Sequence, residues 1–291
     1  MERRGRLPSW FKVRAPGGET YREVKGLIGE LRLHTVCQSA LCPNIGSCWE
    51  RRTATFMILG DTCTRACRFC GVPTGKPKGL DSTEPERIAS AVARMKLRYA
   101  VITSVTRDDL SDGGAGTFAS TIRHIRKDAP GCKVEVLVPD FRGSRESLDI
   151  VLRAGPDVLA HNVETVPRLY GRVRPGADFG RSLALLERAK LTHPSILAKS
   201  GIMVGLGESL KEIIDTMENI VKAGVDLFTI GQYLRPNKKS LPIERFVTPK
   251  EFEELRQIAL SLGFKGVSSG PLVRSSYLAE EQASEHLASL M

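Results

Sequence analysis

The sequence predicts an α/β fold: a partial (β/α)6 barrel of the TIM type, with an N-terminal and a C-terminal extension. Three observations predict it. Short apolar or β-branched runs alternate with longer stretches of helical period, the pattern of βα units. Six such units are present, fewer than the eight of a closed barrel, so the sheet is expected to stay open. The residues before the first run at Phe56 are too many for a linker and too ordered in composition for a disordered tail. They read as an extension packed over the barrel mouth.

Strands are expected at Phe56–Leu59, Ala100–Val105, Lys133–Val138, Val158–Asn162, Ile196–Val204 and Leu227–Gln232, followed by a short extended run at Lys265–Ser268. Helices are expected at Pro85–Met95, Thr117–Ala129, Ser144–Ala154, Gly180–Lys190, Ser209–Ala223 and Pro249–Leu262. Ser209 with Glu212 forms a capping-box signature, and Thr248-Pro249 sets a cap residue before a proline suited to a first turn. Gly155, Gly224 and Gly263 fit helix C-termini, where a left-handed residue closes the last turn. The chain divides into residues 1–54, 55–262 and 263–291. No internal repeat or low-complexity segment interrupts it.

Six of the seven cysteines lie between positions 37 and 70, in two triplets. The first is Cys37-x4-Cys42-x5-Cys48. The second is Cys63-x3-Cys67-x2-Cys70, with Phe69 before the last cysteine, and it starts just beyond the first strand. In parallel βα folds that end of the strands is the functional face. Three thiolates on one short loop can hold three irons of a 4Fe–4S cluster and leave the fourth open, whereas an electron carrier uses four cysteines. Disulfides are the bland alternative. They are disfavoured because Met1-Glu2-Arg3-Arg4-Gly5-Arg6 is charged with no apolar stretch after it, and a chain of 291 residues has enough core without staples. Structural zinc is the better rival, but it prefers four closed ligands; each set here stops at three, with His34 the only histidine nearby. Cys132 stands apart and reads as an ordinary thiol.

Composition narrows the setting. A hydrophobic content of 41% is ordinary for a globular protein. No apolar run approaches the roughly 20 residues needed to span a bilayer, so no membrane is expected. Reduced cysteines in this number point to the cytoplasm. The net charge of +10 is spread out, including the Arg172–Arg174 and Lys238–Lys239 segments, with no nucleic-acid reader motif. An acidic protein partner explains it better than nucleic acid, a generally solvated surface being the alternative.

The second triplet, on a strand-to-loop transition that opens a βα series, resembles the radical S-adenosylmethionine (SAM) enzymes. Together with the first triplet and Arg274-Ser275-Ser276-Tyr277-x-Ala279, the chain resembles the lipoyl synthase family. Lys12-Val13-Arg14, Cys42-Pro43-Asn44, Ser104-Val105-Thr106-Arg107-Asp108-Asp109, His161-Asn162-Val163-Glu164-Thr165 and Met203-Val204-Gly205-Leu206-Gly207-Glu208 extend the likeness across nearly the whole chain. Thr106 departs from the family pattern, where relatives often carry an acidic residue.

The resemblance implies two 4Fe–4S clusters and SAM as cofactors. Cys63, Cys67 and Cys70 would hold the cluster whose open iron chelates SAM and whose electron cleaves it. Cys37, Cys42 and Cys48 would hold an auxiliary cluster that donates sulfur. Its fourth ligand would be a serine of the late segment, Ser276 in preference to Ser275; on the residues alone, both serines could equally be caps. The substrate would be an octanoyl-lysine of a lipoyl carrier domain, on a 2-oxoacid dehydrogenase acyltransferase or the glycine cleavage H protein, receiving sulfur at C6 and C8. An electron donor such as ferredoxin or flavodoxin and an iron–sulfur carrier protein would serve it.

Ser104, Asn162, Glu164 and Arg174 are expected to contact SAM, with surface or core polar roles as the alternative. Asn162 and Glu164 alternate at one strand end and so share a face. Arg174 could take a carboxylate in a bidentate pair, and Ser104 could meet the methionine end. The Gly205 and Gly207 backbone could approach the adenine, or could simply make a turn. His161 is expected to be structural. The absence of a Ser–His–Asp or paired-carboxylate arrangement agrees with chemistry carried by a cofactor. Two other readings are a biotin synthase-like enzyme, which would not carry the N-terminal triplet with the late serine segment, and a non-catalytic metal-binding module.

Overall fold

The computed structural model describes residues 7–13 and 15–287. One sheet holds eight strands in chain order: β1 (His34–Thr35), β2 (Thr55–Ile58), β3 (Tyr99–Ser104), β4 (Lys133–Leu137), β5 (Val158–Ala160), β6 (Leu197–Val204), β7 (Leu227–Gln232) and β8 (Gly266–Gly270). β1 is antiparallel to β2, and every later neighbouring pair is parallel. The sheet begins at β1 and ends at β8 without closing. The expected partial barrel is therefore present, with the seventh extended run serving as its last parallel strand.

In the N-terminal segment lie α1 (Glu19–Glu30), α2 (Val36–Ser39) and α3 (Ile45–Glu50). The barrel helices are α4 (Glu84–Arg94), α5 (Ala115–Asp128), α6 (Arg145–Arg153), α8 (Phe179–Thr192), α9 (Leu210–Lys222) and α10 (Pro249–Ser261). A short α7 (Tyr170–Val173) precedes α8, and α11 (Ala279–Leu287) ends the described chain. The cap signatures work as read. Ser209 with Glu212 and Thr248 with Glu251 both form complete capping boxes. Gly155, Gly224 and Gly263 have φ of 72°, 81° and 109°, conformations that favour glycine. Among the described residues no helix is long and apolar enough to cross a membrane.

Two apolar layers sandwich the sheet. Outside, Ile88 and Val92 of α4, Phe118 and Ile122 of α5, and Ile213 and Met217 of α9 are buried against strand residues such as Phe56, Ile102, Val136 and Ile230. Phe228 stacks on Phe264 at 4.7 Å. Inside, the first residues of β3, β5, β6 and β7 (Tyr99, Val158, Leu197 and Leu227) pack on Ala279 and Ala283 of α11. The C-terminal helix thus fills the N-terminal end of the barrel and leaves the other end for the site. In the same interior, Lys199 Nζ lies 3.1 and 3.2 Å from the two Glu135 oxygens, and Tyr99 Oη donates to Glu135 at 2.7 Å. The third partner helps to offset the cost of burying the pair.

The structure shortens one expected strand. Pairing in β5 stops at Ala160, and Glu164, at φ of 67°, rejoins β6 only through an isolated bridge to Ile202. Asn162 and Glu164 therefore do not share a face by strand alternation. They are brought together by a bend that the buried Arg174 guanidinium holds, donating to the Asn162 and Val163 carbonyls at 2.9 and 3.0 Å.

Candidate active site

The loop after β2 carries the second triplet. Leu59 and Gly60 turn the chain with φ of 70° and 90°, and the loop then closes on itself. Cys63 N donates to Pro73 O at 2.8 Å and Gly75 N to Cys63 O at 3.0 Å. Arg65 anchors it to the next two strand ends. Its Nε and Nη2 form a fork on Asp108 at 2.7 and 2.9 Å, and Nη2 also reaches Asp140 at 2.6 Å. Backbone amides point at the sulfurs: Thr106 N at 3.3 Å and Arg65 N at 3.4 Å from Cys63, and Val72 N at 3.4 Å from Cys70. Thr106 thus serves this loop through its backbone, so the departure at its side chain leaves these contacts intact. Burial pushes the Cys70 thiol up to about 11. Burial also raises Cys67, opposed by the Arg174 guanidinium.

The first triplet is built from α2 and α3. Thr35 caps α2, accepting from Gln38 N at 3.3 Å. Cys42 N donates to Cys37 O at 3.0 Å and Cys48 N to Asn44 O at 2.8 Å, which holds the three cysteines on one compact turn. Asn44 Nδ2 donates to Leu272 O at 2.7 Å, fastening the C-terminal segment to the N-terminal one. As a result Cys37, Cys42, Cys48, Arg274 and Ser276 line one small cavity. Burial and then the other two thiols push Cys48 up to about 12. Burial raises Cys42 as well, while Arg274 pulls it back.

Two glycines let these parts touch. A Cβ on Gly71, next to Cys70, would stand 2.8 Å from Ser39 O of α2. A Cβ on Gly231, near the end of β7, would overlap the Val273 carbonyl. The first contact sets the two cysteine loops against each other, and the second lays the Arg274-Ser275-Ser276 segment across the barrel end.

Between the loops lies a mostly apolar cavity of about 340 Å³. Cys37, Cys42, Cys70, Asn162, Glu164, Arg274, Ser275 and Ser276 all line it, with Phe69, Ile202, Met203 and Tyr233. Ser276 faces both cavities, whereas Ser275 lines only this one. Asn162 Nδ2 donates to Glu164 Oε1 at 3.1 Å. Burial raises the Glu164 carboxyl, with Arg174 and Asn162 acting against it.

Residues 57–220 match the radical SAM superfamily, and residues 1–42 match the N-terminal domain of lipoyl synthase of the radical SAM family. The lipoyl synthase of Rubrobacter xylanophilus is 57% identical over 283 residues, covering 97% of this chain and 88% of the relative. That of Roseiflexus sp. is 55% identical over 276 residues, covering 95% and 92%. The chain belongs to the lipoyl synthase family. Membership makes it a radical SAM enzyme of the sulfurtransferase type, working with SAM and 4Fe–4S clusters that include an auxiliary one. Solved structures share the fold at low identity. HydG, a maturase of the FeFe-hydrogenase, aligns with a TM-score of 0.58 at 16% identity, over 73% of this chain and 50% of that one. Methylornithine synthase aligns at 0.53 and 15%, over 81% and 80%.

The residues fit the cofactors of a lipoyl synthase family member. Ser104 Oγ, Asn162 Oδ1 and Arg174 Nε are buried without a hydrogen-bond partner among the described residues. Each is a polar atom that a polar ligand would satisfy. Three thiols and one hydroxyl around a cavity are donors suited to an iron–sulfur cluster, in which each ligand takes a different iron. Among the described residues no three His, Cys, Asp or Glu side chains gather on a single ion.

Some expected contacts are already taken. Three donations from Arg174 Nη1, to two carbonyls and to Tyr170 Oη at 3.2 Å, leave the rest of the fork for a ligand. The Gly205 and Leu206 amides donate to the Glu208 carboxylate, and a Cβ on Gly205 would overlap the Gln232 amide. The glycine turn is thus packed against the protein itself. His161 is structural, with Nδ1 2.8 Å from Val138 O and Nε2 3.0 Å from Ser182 Oγ. Cys132 is buried, its thiol donating to the Lys133 carbonyl at 3.4 Å. Sequence reading missed Arg65 and Asp140. The signal was a carboxylate just beyond the fourth strand, at the barrel's functional end.

Proposed function

We propose that the two cysteine loops and the late serine form one sulfur-inserting site, in which Cys63, Cys67 and Cys70 hold the SAM-binding cluster and Cys37, Cys42, Cys48 and Ser276 hold the auxiliary cluster. The substrate is an octanoyl-lysine on a lipoyl carrier domain, of an acyltransferase or an H protein, and the product is the lipoyl group with sulfur at C6 and C8. The observation that carries this reading is the shared cavity: Cys37, Cys42, Cys70 and Ser276 line one space between the loops.

The bound cofactors supply the radical and the sulfur; the chain supplies position and dryness. Asn162 Oδ1 and Ser104 Oγ are unsatisfied acceptors or donors held for the hydroxyl and amino groups of SAM. Glu164, fixed by Asn162, adds a carboxylate to that set, and Arg174 offers the free part of its fork to the SAM carboxylate. Phe69, Ile202, Met203 and Tyr233 give an apolar wall suited to a hydrocarbon chain, and exclude water from it. Ser276 would close the auxiliary site with an oxygen, which holds soft iron less firmly than a thiolate does.

The chain divides accordingly into an N-terminal extension, 1–54, a catalytic barrel, 55–262, and a C-terminal extension, 263–291. A low-potential donor such as ferredoxin or flavodoxin reduces it, an iron–sulfur carrier protein rebuilds the auxiliary site, and the reducing cytoplasm is its setting.

Anaerobic iron and sulfide counting tests the assignment. Each triple cysteine-to-alanine variant is expected to keep about half of the iron, since each triplet holds its own cluster. The N-terminal variant should still release 5′-deoxyadenosine from SAM without lipoyl product. Loss of all iron from either variant would sink the two-site reading.

A further inference from the structure

The cationic Lys238–Lys239 segment has no part in the site just described, yet it lies at the site's mouth. Arg235 and Pro236 line the cavity between the cysteine loops, and the chain from there to Ser240 forms a fixed projection. Arg235 Nε donates to Ser240 O at 2.9 Å, Asn237 Oδ1 accepts from the Lys239 and Ser240 amides at 2.9 and 3.2 Å, and Tyr233 Oη anchors Leu241 at 2.8 Å. The projection rests on the catalytic cysteine loop: Leu241 N donates to Arg68 O at 3.0 Å, and a Cβ on Gly71 would stand 3.3 Å from Pro236.

The surface so formed is basic. Arg68, Arg235, Lys238 and Lys239 are exposed, and none of them is ion-paired among the described residues. No acid occurs between Tyr233 and Ile243, and the next one, Glu244, is taken up by Arg172 at 2.8 Å. Leu41, which lines the same cavity, is 70% exposed. A rigid loop, unpaired cations and a bare leucine at the entrance of a lipophilic cavity are the parts of a docking surface with an apolar centre and a charged rim.

We infer that the Arg235–Ser240 projection, with Arg68 and Leu41, is the docking surface for an acidic carrier domain, which it holds so that the acyl-lysine enters the cavity beside it. The inference rests on the reading proposed above and names the partner-binding face of that site. A carrier fits this face better than an electron donor does. A partner seated here covers the cavity entrance, which a carrier must do to deliver its acyl chain. An electron donor would have to leave before the carrier could enter. The unpaired cations raise the encounter rate with an acidic surface and orient it, an effect that fades with ionic strength.

The test is binding of an octanoylated lipoyl domain to the cluster-loaded protein, followed against salt. A Lys238→Glu/Lys239→Glu variant is compared with Arg123→Glu/Lys127→Glu, which makes the same change of net charge on the exposed face of α5. The loop variant is expected to bind the domain roughly tenfold more weakly at low salt, as two reversed rim charges would give, and with a flatter salt dependence. The α5 variant should stay within about twofold of the unmutated chain. Binding of a short octanoyl-lysine peptide should distinguish an intact cavity from a collapsed one. Equal weakening by both variants would reduce the effect to net charge and overturn the inference. So would unaltered domain binding by the loop variant, or a loss confined to reduction by flavodoxin. If the unmutated chain neither binds nor converts the octanoylated domain, the functional reading itself fails.

Discussion

The role proposed for Ser276 rests on a single atom. It faces both cavities, while Ser275 faces one. The neighbouring Arg274 is half-buried, and its desolvation pulls the guanidinium down, with Cys42 and Glu164 holding it up. A partly desolvated cation at this point favours an anionic oxygen beside it. Ser276→Ala is expected to keep 5′-deoxyadenosine formation and to lose lipoyl product, with Ser275→Ala milder. Ser276→Cys is expected to keep a full iron count yet insert sulfur poorly, because a thiolate holds iron more firmly. Equal activity of the Ser276→Ala and unmutated proteins would remove the serine from the ligand set.

His161 carries a pH dependence of the same local origin. Burial first, then the Arg174 charge, lowers it from 6.5 to about 4. The folded chain therefore binds this proton less readily than the unfolded chain does. The stability it contributes is complete above about pH 6.5 and is lost as the pH falls toward 4. Between pH 7 and 5 the loss is on the order of 2 kcal/mol. Anaerobic urea unfolding at the two pH values measures it, and His161→Gln should shrink the difference by that amount. An unchanged difference would show that the folded and unfolded chains bind this proton equally well.

At the level of elements, the cysteine loop is only as stiff as the strand ends it is tied to. Asp140 accepts from Arg65 at 2.6 Å, from Arg181 at 3.1 Å and from the Arg142 amide at 3.0 Å. Burial raises its carboxyl, but Arg65 prevails and holds it down at about 2. Removing one member of so buried a set typically costs about 3–5 kcal/mol, since the others are left uncompensated. Asp140→Ala is expected to destabilise the chain by that order and to lose iron from the Cys63–Cys70 loop before the other. Full iron with stability within about 1 kcal/mol of the parent would show that Asp108 alone suffices. The helices of the barrel were legible because their caps are local: Ser209 and Thr248 act within three residues of themselves. The N-terminal helices α1 to α3 and strand β1 were not read as elements. β1 is two residues long, α2 four and α3 six, too short to show a period.

For the whole molecule, contacts between distant parts of the chain decide where chemistry occurs. Both triplets and their spacing were plain in the sequence, because the cysteines of each sit close together along the chain. So were the six βα units, because burying one face of a helix imposes a period that can be counted, while burying both faces of a strand leaves a short unbroken apolar run. The closing contacts left no such trace. The Asn44 to Leu272 hydrogen bond spans 228 residues, and the fit of Gly231 against Val273 shows in the sequence only as one glycine among 27. The plug formed by α11 rests on Ala279 and Ala283, small residues whose only distinction is what they lie against. Residue types announced a cofactor enzyme, since that chemistry depends on the elements present. The meeting of the two loops, the serine and the basic projection around one cavity depends on tertiary packing, since it requires segments with no sequence relation to reach the same few ångströms of space.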